Sequence, residues 1–452
     1  MKALLKFAAL LGLVVSVAHG QSLPACPTSG AIVQSCSIAV GSPSSSLTIS
    51  QSNILVQCQS GATLTQAPGI PIFDVEGTAA NPISNITIDG CSLNMNNSST
   101  GSGTVKVYET NGFTLRNSTI TNIPESNAGI WLKNTSNSTV KGNTMLGPSN
   151  GIESIGAENN LQIIDNRSIG GISIISANDS DSSTTTTVVV SGNILSPDPN
   201  GGVCGSIGDY SDLKTKPITN FTFSHNTCNM TGTSSSHPAF AAYSFVSGDS
   251  GVCTVSDNVV NANGAYISYA LWEIGLTNCA FSGNLTLGSD TQNQTYNGWT
   301  IYNGNNTFTG NTTIGWSQQG TGMLFYSRDE NEPLPPAHGD NNVVTGGSLI
   351  ATNPSGASGL AIVCNSSDAG ASINNMKING LLISGALNRG IDVEGDSTTG
   401  CPISVMLDSI TISGATTGLE TYNATIGVQN FYTLGVGTRW IQNPLTTVIT
   451  PQ

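Results

Sequence analysis

Apolar and polar residues alternate along most of this chain, and the alternation comes in short pulses. One set of pulses follows a glycine: GIWLKN at Gly129, GIESIG at Gly151, GISIIS at Gly171, GWTIYN at Gly298, GMLFYS at Gly322, GLAIVC at Gly359 and GIDVEG at Gly390. A second set ends in asparagine: TVKGN at Asn143, VVSGN at Asn193, TFSHN at Asn226, TVSDN at Asn258, AFSGN at Asn284 and TFTGN at Asn311. Period 2 with β-branched and aromatic residues predicts strands, and no run of about ten residues has helical periodicity. The asparagine phrase returns at steps of about 26 to 33 residues, and IIDNR around Asn166 divides the one longer step. A step of this size with two strands per unit predicts stacked coils. The expected fold is all-β: a single-stranded right-handed parallel β-helix of about 12 coils.

The asparagine column marks a corner that every coil must turn. One residue there is expected at positive φ, which Gly and Asn tolerate best, and stacked Asn amides can bond along the axis. His225 falls in this column and is expected to be structural. Aligning coils on the opening glycine gives two outward columns, because residues two apart share a face. The first runs Trp131, Glu153, Ser173, Cys204, Ser244, Tyr266, Thr300, Leu324, Ala361, Asp392, Glu420. The second runs Lys133, Ile155, Ile175, Ser206, Val246, Ser268, Tyr302, Tyr326, Val363, Glu394, Tyr422.

Composition narrows the partners. The net charge is -14 with only 13 Lys and Arg, so nucleic acid is excluded as a natural partner and polyanions are disfavoured on average. Residues 1–20 have a lysine-flanked apolar stretch and a small-residue end, which predicts a secretory signal peptide and an extracellular location; no membrane span is expected. Ten Cys in an exported chain predict disulfides. Cys26, Cys36, Cys58 and Cys91 are expected to pair among themselves, and a cysteine-containing cap is expected over 21–60, with the β-helix over 61–452. Cys364 with Cys401 is the next pair. Cys253 and Cys279 should stack in the core, as thiols or as a disulfide.

The glycine-led strand followed by the asparagine phrase resembles the repeat of the pectate-lyase-like superfamily of right-handed parallel β-helix proteins. The resemblance covers about Ile54 to Leu434 and implies fold more than function. Its members include polysaccharide lyases, glycoside hydrolases, epimerases, phage tailspikes and adhesins. The N-T-D, D-D, G-H-G and R-I-K series of polygalacturonases is absent, as is the R-x-P-x-x-R context of pectate lyases. The resemblance therefore hands over no active site.

Two outward patches could carry chemistry. Tyr266, Trp272, Tyr302, Tyr326, Arg328 and Asp329 form a candidate sugar-binding surface, since a sugar ring stacks on aromatics while polar groups take its hydroxyls. Asp392, Glu394 and Glu420 form a candidate catalytic group. Asp392 and Glu420 should be vertical neighbours, and like charges this close raise one pKa towards that of a general acid. Glycoside hydrolysis needs such a pair. No cofactor is implied, although the same oxygens suit Ca2+. A lyase would instead need a base such as Arg389, Lys377, Arg328 or His338. Two functions stay open: a secreted protein that binds, and as a lyase or hydrolase degrades, extracellular polysaccharide, or a non-catalytic adhesin or structural surface protein. Oligomeric state is not legible.

Overall fold

The computed structural model describes residues 22–449 except 42–45, 66–69, 96–102, 124–127, 148–150, 157, 176–186, 198–202, 208–219, 231–237, 243–251, 263–269, 289–295, 328–338, 353–355, 365–370, 397–400 and 444–445. The described residues contain strands and no α-helix. The signal segment lies outside them.

The strands form two sheets in which the named strands pair only in parallel. One, the front sheet, has 16 strands running from Gly30–Ala31 to Thr438–Gln442. Each of its strands is one turn of chain from the next, and parallel crossovers of this kind wind right-handed. The stack is thus longer than the expected dozen coils. The asparagine phrase counts only the middle of it, and strand pairing already begins at Gly30, within the 21–60 segment. The second sheet wraps the other faces. Thr139–Lys141 and Thr144–Leu146 show its plan: two short strands per coil, separated by a corner at Gly142-Asn143.

The corner differs in detail from expectation. Positive φ falls one residue before the asparagine, at Gly142, Asp165, Gly192, His225, Asp257, Gly283 and Gly310. That residue turns the chain and frees the asparagine to point inward. Asn143, Asn166, Asn193, Asn226, Asn258, Asn284 and Asn311 are all buried. Along this column each Nδ2 donates to Oδ1 of the asparagine in the next coil at 2.9–3.1 Å. The same Oδ1 accepts the backbone N–H of the earlier asparagine, and Nδ2 also donates to a carbonyl one coil back. The ladder therefore satisfies buried backbone that a corner would otherwise orphan.

The interior is a continuous apolar column. In its middle the Trp272 and Trp299 rings stack at 4.6 Å, flanked by Phe240, Phe281, Phe308 and Phe325. Each indole N–H is satisfied, Trp272 by Thr286 and Trp299 by Thr313. All ten Cys are paired: Cys26–Cys36, Cys58–Cys91, Cys204–Cys228, Cys253–Cys279 and Cys364–Cys401. Cys204, expected to face outward, is buried in its disulfide.

Candidate functional site

The front sheet carries the outward columns, and its register corrects their middle. Ser206 stands beside Ser173, Ala241 beside Ser206, and Glu273 beside Ala241. The column then continues through Thr300, Leu324, Ala361, Asp392 and Glu420. Cys204 does not belong to it, and Ser244 and Tyr266 lie outside the described residues. Glycine alignment failed there because Phe240–Ala242 and Ala270–Ile274 do not open on the glycines it used. A better signal was available: the 27-residue step from Asn284 to Asn311 also carries Trp272 onto Trp299. That step places Glu273 opposite Thr300.

The aromatic patch is largely not a surface. Trp272 is a core residue with no exposure, because its strand is one register away from the assumed one. Tyr302 is only 2% exposed, and its hydroxyl donates to Glu273 Oε1 at 3.2 Å. Tyr326 is half-buried with its ring edge-on to Tyr302, centroids 6.5 Å apart. Tyr266, Arg328 and Asp329 lie outside the described residues, as does His338.

The carboxylates do come together. Leu387–Gly395 and Thr417–Tyr422 pair in parallel, with Asp392 opposite Glu420 and Glu394 opposite Tyr422. Ile391 and Val393 point into the core, so Asp392 and Glu394 between and beyond them must point out. Arg389, on the same strand, joins the two coils. Its Nη1 donates to Asp392 Oδ2 at 3.1 Å and its Nε donates to Glu420 Oε2. The guanidinium is held charged above its ordinary value by that bond to Glu420.

Asp392 has an acid's environment. Its pKa is pushed up to about 6 by burial, against the pull of Arg389 and with the help of the Glu394 and Glu420 charges. Its side chain keeps 15% of its exposure and Glu420 keeps 25%, so both can meet a ligand. Arg389 is thus a bridge, which does not suit the base role weighed for it. Tyr422, half-buried beside Glu394, adds an aromatic that was in the expected column but not in the expected site. Among the described residues no group of His, Cys, Asp and Glu is arranged to hold a metal ion.

No family model matches the chain, and no curated protein matches it. Solved structures with similar shape include the A-module of a mannuronan C-5 epimerase from Azotobacter vinelandii (11% identity, 82% of this chain, 92% of that one, TM-score 0.38). Others are the catalytic unit of a GH87 alpha-1,3-glucanase from Streptomyces thermodiastaticus (14%, 94%, 62%, TM-score 0.40) and an exopolygalacturonase from Thermotoga maritima (10%, 90%, 84%, TM-score 0.29). The chain spans less than two thirds of the glucanase unit's length. At such identities and scores no residue role or activity is carried over. What stands is the fold of the chain itself, a right-handed parallel β-helix.

Proposed function

We propose that this is a secreted protein that binds an extracellular polysaccharide along its front sheet and hydrolyses it at Asp392 and Glu420. The observation that carries this reading is the Arg389-bridged carboxyl pair, outward on neighbouring strands, with one member holding its proton to about pH 6. A linear polymer suits the exposed end of the column at Asp392 and Glu420, because each coil advances by about 4.8 Å, comparable to one sugar ring in an extended chain. Asp392 donates its proton to the glycosidic oxygen as the bond to the anomeric carbon breaks, Glu420 takes a proton from the water that attacks that carbon, and Arg389 fixes the geometry of both carboxyl groups. Glu394 and Tyr422 contact the sugar beside the cleaved bond. The five disulfides fit an oxidising compartment.

One observation favours a second reading. Arg389 bonds both carboxylates at once, which would equally suit a non-catalytic surface that binds sugar hydroxyls.

A panel of soluble polysaccharides, scored for binding and for new reducing ends, separates the two. Hydrolysis is expected, with Asp392→Asn reducing turnover by about 10²- to 10⁴-fold while binding stays. Because Asp392 acts as the protonated acid, wild-type turnover should fall as pH rises through about 6. Binding without any new reducing ends would leave the scaffold reading and remove the enzyme.

A further inference from the structure

The front sheet has a second outward cluster, in coils far from Asp392. Phe73–Glu76, Val105–Tyr108, Ile130–Lys133 and Ile152–Ile155 lie side by side in that sheet. Their register puts Lys106 between Asp74 and Trp131, Tyr108 between Glu76 and Lys133, and Glu153 beside Trp131. The inward partners Val105, Val107, Ile130 and Leu132 are fully buried, so the named residues face out. Trp131 and Tyr108 are half-buried and stand diagonally in adjoining coils. Lys133 Nζ lies 6.0 Å from the centre of the Tyr108 ring. Lys106 Nζ is 3.3 Å from Asp74 and 3.8 Å from Glu76.

We infer that Trp131 and Tyr108 form a remote binding platform for the same polysaccharide chain, and that this polymer is uncharged. The inference rests on the functional reading above. Trp131 shares a register column of the front sheet with Asp392, nine strands away, or about 43 Å at about 4.8 Å per strand. The middle of that column, at Ala241, Glu273, Thr300 and Ala361, is buried, so a long chain that meets both ends passes over it and touches the sheet only at Trp131 and at Asp392. Two aromatic faces one coil apart offer consecutive rings a stacking surface, and Lys, Asp and Glu heads around them offer partners for hydroxyls. Charge selects the polymer. Lys106 is already engaged by two carboxylates, Glu153 adds another beside Trp131, and the far end of the column is acidic at Asp392, Glu394 and Glu420. With a net charge of -14, the described residues of this track do not offer a uronate or sulfate the excess positive charge it needs.

The test is affinity electrophoresis of the full chain in gels containing neutral polymers (β-glucan, xylan, mannan) or anionic ones (polygalacturonate, alginate). At least one neutral polymer should retard the protein and the anionic ones should not. Trp131→Ala with Tyr108→Ala should weaken that retardation by about 10-fold or more, while Trp131→Phe restores most of it. Melting curves confirm that the variants fold. Retardation by anionic polymers only, by none, or equally in the double alanine variant would overturn the inference. Cleavage is read separately on short oligosaccharides that cannot span the column. If Asp392→Asn abolishes that cleavage but the platform variants bind normally, the platform fails and the hydrolase stands. If nothing is cleaved yet the platform variants lose binding, the hydrolase fails and the platform stands.

Discussion

Glu158 shows how much one side chain can set. It lies fully buried in the turn after Ile152–Ile155, stacked over Thr135 of the previous coil. The Thr135 N–H bonds its Oε2 at 3.2 Å, and the Thr135 hydroxyl bonds the same oxygen. Burial pushes its pKa from 4.5 up to about 8, against the pull of the bonds from Thr135 and Ser154. The folded state therefore keeps a proton that the unfolded chain has released. The stability this confers is complete below pH 4.5 and is lost as pH rises to about 8, at ~1.4 kcal/mol per pH unit. Glu158→Gln keeps the shape and removes the titration. Urea titrations from pH 6 to 8, above the Asp392 transition, should show wild-type stability falling by about 2–3 kcal/mol more than that of the variant. Parallel slopes in the two proteins would show that Glu158 ionises at no cost. Nothing in the sequence marked this residue, because its burial depends on a turn whose register only the fold supplies.

At the level of the coil, the corner was legible and its geometry was not. The recurring Asn column announced a ladder, and the ladder is there, but the strained φ sits one residue earlier. Spacing cannot separate two adjacent residues that both favour turns, whereas the direction in which each side chain points can. The consequence is a changed reason for fragility. Asn258→Leu introduces no strain at φ; it strips partners from the Asn226 N–H and side-chain amide, the Phe223 carbonyl and Asn284 Oδ1. The expected loss is about 2–5 kcal/mol, with chemical denaturation as the measurement. Gly283→Ala should cost about 1–3 kcal/mol for a different reason: φ there is +63° and Asp257 Oδ1 already occupies the space of a Cβ. If both variants keep wild-type stability, the ladder is ornamental. The same limit governed the site. The alternation in GIDVEGD correctly placed Asp392 opposite Glu420, since that strand contains the glycine used for alignment. Trp272 was misplaced because its strand does not.

At the level of the whole molecule, a stack of coils has stability that is local, since each coil touches chiefly its neighbours. The front sheet is continuous over 16 strands, but its reinforcements are not evenly spread. The Asn ladder ends at Asn311 and the last disulfide at Cys401. Beyond them, Thr438–Gln442 and Thr447–Ile449 are mostly exposed, and Leu434 and Ile449 keep 74% and 55% of their exposure. At the other end the first coils are tied by Cys26–Cys36 and Cys58–Cys91. Opening should therefore start from the C-terminal coils and travel inward. Amide hydrogen exchange in the oxidised protein should be fastest over 425–449 and slowest over the ladder coils from Thr187–Ser191 to Thr312–Ile314. Reduction should change the order at the first coils, which lose their ties, and leave the C-terminal coils as they were. Uniform exchange along the stack, or protection that peaks beyond Cys401, would mean that the coils unfold as one cooperative block and that ladder and disulfides do not set local stability.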